Sequence, residues 1–308
     1  MKKGTFVLID GNAILHRSYH AMPRFETGGR LVNAIYGFIS ILFSAIEKHQ
    51  PEYLAVAFDV KGPTFRDELF EQYKAKRVKP PQEFYDQIPD VWEFLKTAEI
   101  PLLTKEGFEA DDIIGTLAKK VNGELGEGEV IIITGDQDTL QLVDRRTYVA
   151  MPAMGKTKET LYDTAAVQGR FGLSPNQIID YKALSGDSSD NIPGVRGIGE
   201  KTALALLKEY RTVERIYEAL EKSPPKFKEK FSTVIYEKLV LGKSDAELSK
   251  KLATIRTNVP LEFALGRAKT HDFDEEKLRR FLEKYRFISL VKRMPKSKRA
   301  ENSQQQLF

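Results

Sequence analysis

The segment Thr5–Ile9, TFVLI, is a short continuous run of apolar residues, and Asp10 follows it directly. A run of this length and composition is typical of a strand that is buried on both faces. Similar runs occur at Tyr53–Phe58 and Glu129–Thr134. Because segments with helical periodicity separate the three runs, the pattern predicts an α/β fold with a mostly parallel central sheet flanked by helices.

Acidic residues follow each predicted strand, and a predicted helix start adds more. The carboxyl ends of parallel strands meet at one edge of the sheet, which is where α/β proteins place their sites. Each acid alone could be a helix N-cap or a first-turn acid. Together they would repel one another unless cations neutralise them. The acids expected at this edge are Asp10, Asp59, Glu109, Asp111, Asp112, Asp136 and Asp138.

The composition of this cluster indicates hard metal ions. Oxygen-only ligand sets suit Mg²⁺ or Mn²⁺. The chain has no cysteine and 4 histidines, whose spacing forms no zinc pattern. Two hard cations about 4 Å apart are the usual device for hydrolysing a phosphodiester. The sequence therefore predicts two such ions, and the histidines are expected to be structural or to lie on the surface.

The stretch 185–203, SGDSSDNIPGVRGIGEKTA, adds Asp187 and Asp190 and then a glycine-rich turn. The turn does not follow a strand and lacks the Walker spacing, which argues against nucleotide-binding motifs. It predicts a helix–hairpin–helix that holds DNA phosphates without reading bases, and an ordinary interhelical turn is the alternative. The residues expected to contact DNA here are Gly194, Arg196, Gly197, Gly199 and Lys201.

A basic segment follows Asp59, with aromatic side chains between its cations. Such a mixture suits single-stranded nucleic acid, because cations contact the backbone and rings stack on bases. A solvated loop is the alternative. The residues expected to contact the substrate include Arg66, Tyr73, Lys74, Lys76 and Arg77.

The overall composition places few limits on function. The chain has 308 residues, 41% hydrophobic and 30% charged, which is ordinary for one or two globular domains. No apolar run approaches the length of a membrane span, and the N-terminal run is too short for a signal peptide. We therefore expect a cytoplasmic protein. A net charge of +4 permits a nucleic-acid partner without requiring one.

The ordered motifs LIDGN, AIYGF, AFDVKGPTFR, QYKAKR, EADD, TGDQD, SGDSSDNIPGV and GIGEKTA resemble the 5′ nuclease (flap endonuclease) family. They are most similar to the 5′→3′ exonuclease domain of bacterial DNA polymerase I. The resemblance extends from about Thr5 to Leu290 and implies a PIN-like or resolvase-like nuclease core, a helical arch and a C-terminal helical region.

The expected domains follow from this resemblance and from the change in composition along the chain. Residues 1–172 are expected to form the α/β nuclease domain, with the arch around 61–100. Residues 173–291 are expected to form a helical DNA-binding domain, with the helix–hairpin–helix at 185–210. Residues 292–308 are basic and then polar, and are expected to be a flexible tail.

The resemblance also implies roles for single residues. Lys74 matches an arch lysine that engages the scissile phosphate, and Arg77 and Arg17 match further phosphate contacts. The hairpin is expected to hold a K⁺ ion through backbone carbonyls around 195–198. The implied metal carboxylates are Asp10, Asp59, Glu109, Asp111, Asp112, Asp136, Asp138, Asp187 and Asp190.

The function implied is that of a metal-dependent, structure-specific 5′ nuclease, either an exonuclease or a flap endonuclease. Its expected substrates are 5′ flaps, nicked or branched DNA and RNA primers in replication and repair, and we expect a monomer in the bacterial nucleoid. A non-catalytic, clamp-tethered DNA-binding scaffold is the alternative, against which the complete carboxylate set argues. A phosphatase on a similar sheet would need a second aspartate where Asn12 stands.

The final residues suggest a further partner. Gln304, Leu307 and Phe308 resemble the short peptide by which bacterial replication proteins bind the sliding clamp. A flexible polar tail that ends in two apolar residues can anchor them in a pocket. This favours a stand-alone nuclease tethered to a clamp, and an excised polymerase domain is the alternative.

Overall fold

The computed structural model describes residues 4–152, 158–270 and 273–297. The strands are β1 (Thr5–Asp10), β2 (Glu26–Thr27), β3 (Arg30–Leu31), β4 (Tyr53–Ala57), β5 (Leu102–Leu103), β6 (Glu129–Ile133), β7 (Thr147–Met151) and β8 (Thr160–Tyr162). Six of them form one sheet in the order β5-β4-β1-β6-β7-β8, and β2 pairs with β3 separately. All neighbours in the main sheet are parallel except β7 and β8.

The helices are α1 (Gly11–Ala21), α2 (Asn33–His49), α3 (Phe65–Leu69), α4 (Gln82–Tyr85), α5 (Ile88–Thr97), α6 (Ala110–Glu124), α7 (Thr164–Phe171), α8 (Gln177–Ser185), α9 (Glu200–Tyr210), α10 (Val213–Lys222), α11 (Pro224–Phe231), α12 (Thr233–Leu241), α13 (Lys243–Ala253), α14 (Glu275–Lys284) and α15 (Ile288–Lys292). Single 3₁₀ turns lie at Gln137–Leu142 and Leu265–Ala268. The predicted fold class is confirmed.

Strand β1 divides the hydrophobic core, because successive side chains of a strand point to opposite faces. Phe6 and Leu8 pack with α6 on one face, whereas Val7 and Ile9 pack with α2 and α5 on the other. Every residue of β1 is buried. In register, Asp10 lies opposite Ala57 of β4, so the carboxyl ends of these strands are level with each other. The three predicted strands are confirmed; β5, β7 and β8 were not predicted.

The C-terminal half is helical and shares the core of the sheet. Buried residues of α9 and α10 such as Leu206 and Ile216 belong to the same cluster as α6. Helices α14 and α15 pack on the opposite face, where the rings of Phe281 and Phe94 lie 5.7 Å apart. The last helices therefore return to the sheet.

Helical periodicity across 231–251 predicts a single helix there. This prediction is wrong, because the structure divides the stretch into α12 and α13. Gly242 separates them, and a Cβ atom there would lie only 2.8 Å from Val195 Cγ1. The break lets the chain approach the glycine-rich hairpin closely. Helix α11 was also not predicted.

The segment predicted as an arch contains α3, α4 and α5, and residues 71–76 between α3 and α4 form turns. Lys74 in these turns has a positive φ of 54°, which is uncommon for a residue other than glycine. None of the helices in the described ranges has the length and apolar character needed to cross a membrane.

Candidate active site

Asp10 and Thr134 anchor the carboxylates at the centre of the sheet edge. Asp10 is the N-cap of α1, and its Oδ1 accepts a hydrogen bond from the Ala13 amide at 3.0 Å. Its Oδ2 accepts from the Thr134 hydroxyl at 2.7 Å, and that same hydroxyl accepts from the Asp136 amide at 3.0 Å. Burial raises the pKa of Asp10 to about 7, with smaller contributions from Asp59 and Asp136. The Thr134 hydroxyl thus links the ends of β1 and β6.

Asp136 and Asp138 follow β6 in a 3₁₀ turn. The Asp136 carboxylate caps this turn by accepting from the Asp138 amide at 2.8 Å. Burial and the charge of Asp136 raise the pKa of Asp138 to about 6, although the Lys182 ammonium opposes the shift. Both carboxylates therefore lie in a region of accumulated negative charge.

Asp111, in the first turn of α6, lies near the carboxylates of Asp136 and Asp10. Its Oδ1 is buried and has no hydrogen-bond partner among residues 4–152, 158–270 and 273–297. Burial raises the pKa of Asp111 well above its ordinary value, and the charges of Asp136 and Asp10 raise it further. Asp59 lies beside this helix start, where its Oδ1 accepts from the Ala110 amide at 2.7 Å. The amide of Asp59 donates to Asn12 at 2.8 Å.

Asp112 points away from Asp111 into the interior. It is fully buried and accepts two hydrogen bonds from Arg66, at 2.7 and 2.9 Å. Arg66 is only 2% exposed and also donates to the carbonyls of Leu252 and Thr254. Asp112 was expected to be a metal ligand, but both of its oxygens accept hydrogen bonds from Arg66. Arg66 was expected to contact DNA, but it lies inside the protein. A bidentate pair of this kind satisfies both buried charges.

Asp187 and Asp190 come from the segment after α8 and face the sheet edge. Lys182, which the sequence patterns did not single out, donates to Asp138 and, at 2.6 Å, to Asp187. Burial would raise the pKa of Asp187, but the bonds from Lys182 and Ser189 outweigh it and lower the pKa to about 2. Lys182 lies five residues before Asp187 on a helix, so its sequence position alone did not indicate a partner on the sheet.

The basic segment covers the cluster. Lys74 contacts Glu109 at 2.7 Å, and Arg77 donates to Asp190 from Nη2 at 2.5 Å. The Tyr73 hydroxyl donates to Glu109 at 3.2 Å, and its ring is buried. Tyr73 was expected to contact DNA and instead lies beneath the segment, whereas Lys76 is exposed. This conformation places two cations directly on carboxylates of the site.

Arg17, on α1, lies on the β6 side of the cluster. Its guanidinium donates to the Pro152 carbonyl at 2.5 Å. It also lies beside Gly135, where an added Cβ atom would be 3.8 Å from Arg17 Nη1. Because Gly135 directly precedes Asp136, Arg17 borders the carboxylates.

The donor set of the cluster fits hard divalent ions, although its carboxylates are held apart in this conformation. Within the described ranges, no group of three or more histidine, aspartate or glutamate side chains is already close enough to hold a metal ion. Lys74, Arg77 and Lys182 instead pair with members of the cluster. The buried Asp111 oxygen and the raised pKa of Asp10 indicate negative charge that these cations leave uncompensated. All available donors are oxygens, which suits Mg²⁺ or Mn²⁺.

The glycine-rich hairpin joins α8 to α9. Gly194 has a φ of 61°, and a Cβ atom there would lie 2.2 Å from the Gly186 nitrogen, so this close approach requires glycine. Its amide donates to the Ser249 hydroxyl at 2.9 Å, so Gly194 supports the hairpin. The Gly197 carbonyl accepts from the Lys238 ammonium at 3.0 Å.

The predicted DNA contacts of the hairpin lie at the start of α9. Gly199 is the N-cap of α9, and both Arg196 and Lys201 are exposed beside it. An exposed helix N-terminus next to cations favours anions.

Comparisons with known proteins agree with this architecture. A model of the 5'-3' exonuclease, N-terminal resolvase-like domain matches residues 5–172, and one of the 5'-3' exonuclease, C-terminal SAM fold matches residues 173–276. DNA polymerase I of Caldicellulosiruptor bescii is 44% identical over 94% of this chain and 33% of the relative. A 5'-3' exonuclease of Aquifex aeolicus is 38% identical over 99% of both chains. The chain spans about a third of the length of its polymerase relatives.

Solved structures share the fold. T5 5'-exonuclease with bound zinc has a TM-score of 0.67 and 23% identity, covering 82% of this chain and 90% of that one. The catalytic core of Rad2 in complex with DNA substrate has a TM-score of 0.58 and 18% identity, covering 92% and 88%. The chain belongs to the 5'-3' exonuclease family, which confirms the resemblance found in its motifs.

Proposed function

We propose that this member of the 5'-3' exonuclease family is a metal-dependent, structure-specific 5′ nuclease. It hydrolyses phosphodiester bonds in 5′ flaps, in nicked or branched DNA and in RNA primers during replication and repair. The observation that carries the proposal is the buried Asp111 oxygen, which meets no hydrogen-bond donor in the described part of the chain. Leaving such a group unsatisfied is costly, so its retention among other carboxylates indicates a site for a cation.

The proposed ions are two Mg²⁺ or Mn²⁺ ions. Bound in such a site, two divalent ions lower the pKa of the attacking water and offset charge on the attacking and leaving oxygens. The chain orients the carboxylates through the Thr134 and Ala110 contacts described above. Asp112 supports the helix start through Arg66. The proposed ligands are Asp10, Asp59, Glu109, Asp111, Asp136, Asp138, Asp187 and Asp190.

Lys74 and Arg77 are proposed to contact the scissile phosphate. Burial would lower the pKa of Lys74, but Glu109 holds it above its ordinary value, so the side chain stays charged. Both side chains now lie on carboxylates, Lys74 on Glu109 and Arg77 on Asp190. A phosphate that enters beside these carboxylates would offer Lys74 and Arg77 alternative acceptors at short range. The two cations would then stabilise the negative charge that develops on the phosphate in the transition state.

Replacing Lys74 by alanine is expected to lower the cleavage rate of a 5′ flap by about a hundredfold. The matched control is Lys119→Ala, two turns along α6 from the carboxylates, because Lys119 is exposed and belongs to none of the predicted contacts, so the rate should stay close to that of the native chain. Single-turnover cleavage of a labelled flap measures both. Equal effects of the two substitutions would remove Lys74 from the proposed chemistry.

The hairpin is proposed to grip duplex DNA by its backbone. Arg196, Lys201 and the Gly199 end of α9 offer cations and an exposed helix N-terminus to phosphates. A K⁺ ion held by the carbonyls of 195–198 would add to this grip. The catalytic core of Rad2, which shares this fold, was solved in complex with DNA substrate, and this supports DNA as the substrate here. Such contacts recognise a junction and not a base sequence.

The decisive experiment incubates a labelled 5′-flap duplex with the protein, once with Mg²⁺ and once with EDTA. We expect metal-dependent product from the native chain and none from Asp136→Ala. Gel-shift binding of the flap by this variant should remain close to that of the native chain, since the hairpin and basic segment are unchanged. Undiminished cleavage by Asp136→Ala would refute the metal assignment, and absence of any product would favour a DNA-binding scaffold.

We further propose that the nuclease binds a sliding clamp. We also expect it to act as a monomer and to be located at the nucleoid. The residues involved, Gln304, Leu307 and Phe308, lie outside the described residues, so the proposal depends on their sequence alone. The clamp would keep the nuclease near new junctions by raising its local concentration there.

Deleting residues 304–308 is expected to abolish binding to a bacterial sliding clamp and to leave cleavage of a free flap unchanged. The reason is that the segment supplies the two proposed apolar anchors and contains none of the proposed metal ligands or DNA contacts. Surface plasmon resonance with immobilised clamp measures the first effect and a flap assay the second. Equal clamp affinity with and without these residues would refute the proposal.

A further inference from the structure

Lys182 lies between two of the proposed metal carboxylates. Its ammonium donates to Asp138 and, at 2.6 Å, to Oδ2 of Asp187. These side chains are mostly buried, with 14% of Lys182 and 17% of each aspartate exposed. The Lys182 ammonium therefore already neutralises two of the carboxylates that would hold a divalent ion.

The ammonium joins two separate parts of the fold. Asp138 follows the central strand β6, whereas Asp187 precedes the hairpin. Without a cation between them, two negative charges would face each other in a partly buried space, which is unfavourable. The other oxygen of Asp187 already accepts from the amide and hydroxyl of Ser189, at 2.8 and 2.6 Å. Lys182 thus balances charge where the helical half meets the sheet.

We infer that Lys182 is a positioning residue whose ammonium acts as a resident counter-ion and competes with a divalent ion for Asp138 and Asp187. This inference rests on the proposed function. In the free protein, Lys182 holds the two carboxylates together and keeps divalent binding at this position weak. When a phosphodiester enters, its oxygens add ligands, and the flexible lysine side chain withdraws. The complete ion set then forms only on a bound substrate.

Lysine suits this role for physical reasons. Its ammonium is a compact, strongly hydrated charge on a flexible stem, so it can leave the site and enter water at modest cost. Lys182 also lies in the last turn of α8, where the helix C-terminus favours a cation. A rigid guanidinium fork would bind the carboxylates more firmly and exchange less easily.

The test is calorimetric titration of the full chain with Ca²⁺, which prefers oxygen ligands as Mg²⁺ does. Lys182→Met removes the charge and keeps an unbranched apolar side chain. We expect the weaker Ca²⁺ site of the free protein to bind at least about tenfold more tightly in this variant, because two uncompensated carboxylates attract the ion. A 5′ flap should then increase Ca²⁺ affinity less in the variant than in the native chain.

Lys250→Met is the matched control. Lys250 also bridges two carboxylates, Asp180 and Glu214, each at 2.7 Å, but this bridge is a separate one between α8, α10 and α13. Its loss should lower thermal stability without changing Ca²⁺ affinity. If the loss of any bridging lysine changed Ca²⁺ affinity, Lys182→Met and Lys250→Met would show the same change.

A second measurement needs no substitution and applies if Lys182→Met does not fold. Lysines of the native chain are acetylated briefly with and without saturating Ca²⁺, and the products are quantified by mass spectrometry. We expect Ca²⁺ to increase acetylation of Lys182 several-fold and to leave Lys250 unchanged.

Unchanged or weaker Ca²⁺ binding by Lys182→Met, or acetylation of Lys182 that does not respond to Ca²⁺, would overturn the inference and leave the nuclease proposal standing. If neither chain bound Ca²⁺ and the native chain gave no metal-dependent cleavage, the proposed function would fail with it.

Discussion

Replacing Asp111 by asparagine is expected to reduce cleavage of a 5′ flap about a thousandfold or more, while the metal-free protein becomes more stable. The loss of rate follows because an amide cannot replace a carboxylate as a strong ligand for a hard ion. The gain in stability follows because the substitution removes a negative charge from beside Asp10 and Asp136, where Asp111 Oδ1 is buried and lacks a partner among the described residues.

The gain in stability of Asp111→Asn is expected to depend on pH. A buried charged group without a partner costs roughly 1–3 kcal/mol or more, and we expect a gain of this order at neutral pH. Since the pKa of Asp111 is raised on folding, the carboxyl destabilises the folded state only above the pH at which the unfolded chain ionises. The gain should therefore vanish below about pH 4 and increase as the pH rises.

Urea unfolding in EDTA and single-turnover cleavage in Mg²⁺ measure the two effects on the same preparation. A residue that served only to hold the fold would lose stability and activity together. Lower stability of Asp111→Asn in EDTA would contradict the uncompensated charge. Near-native cleavage would contradict its role as a ligand.

Asp112→Asn, one position along the same helix, is expected to have the opposite effect on stability. This carboxylate accepts both Arg66 bonds and the Arg256 amide at 2.8 Å. Removing Asp112 leaves Arg66 with only the more distant Glu109 carboxylate, at 3.3 Å. Losing one partner of a buried ion pair typically costs about 3–5 kcal/mol. The same urea experiment should show this loss, and no change of that size would mean that Arg66 finds another partner.

A double variant separates the charge from the packing. Arg66→Met combined with Asp112→Leu removes both charges, and replacing a buried pair with apolar side chains is often neutral or stabilising. We expect the double variant to be more stable than Asp112→Asn alone. A double variant no more stable than the single one would show that the bonds from Arg66 to the Leu252 and Thr254 carbonyls carry the stability.

The contrast between Asp111 and Asp112 shows how far sequence reasoning extends. Both are acids in the first turn of one helix, and the motif predicts both as ligands. Successive helical residues point about 100° apart, so one carboxylate faces the cluster and the other faces the interior. Asp112 is the one that faces the interior, because Arg66, 46 positions before it in the chain, binds its carboxylate there.

Apolar composition predicted the central strands more accurately than helical periodicity predicted where helices begin and end. The runs that became β1, β4 and β6 are almost entirely apolar between their ends, because both faces of a central parallel strand are covered. The short outer strand β5 and the pair β7 and β8 carry weaker patterns and were not predicted. The predicted single helix across Gly242 divides because of the hairpin that packs against it.

Short stretches of sequence were enough to predict the α/β core, the placement of aspartates after its strands and the hairpin between helices. These depend on the order of residues within short segments, where apolar periodicity and turn chemistry act locally. The pairing of cations with carboxylates could not be predicted in this way and depends on the folded chain: Lys74 pairs with Glu109, Arg77 with Asp190 and Lys182 with Asp187. Such pairs join residues from different elements, and the folded chain alone sets their distances and their shielding from water.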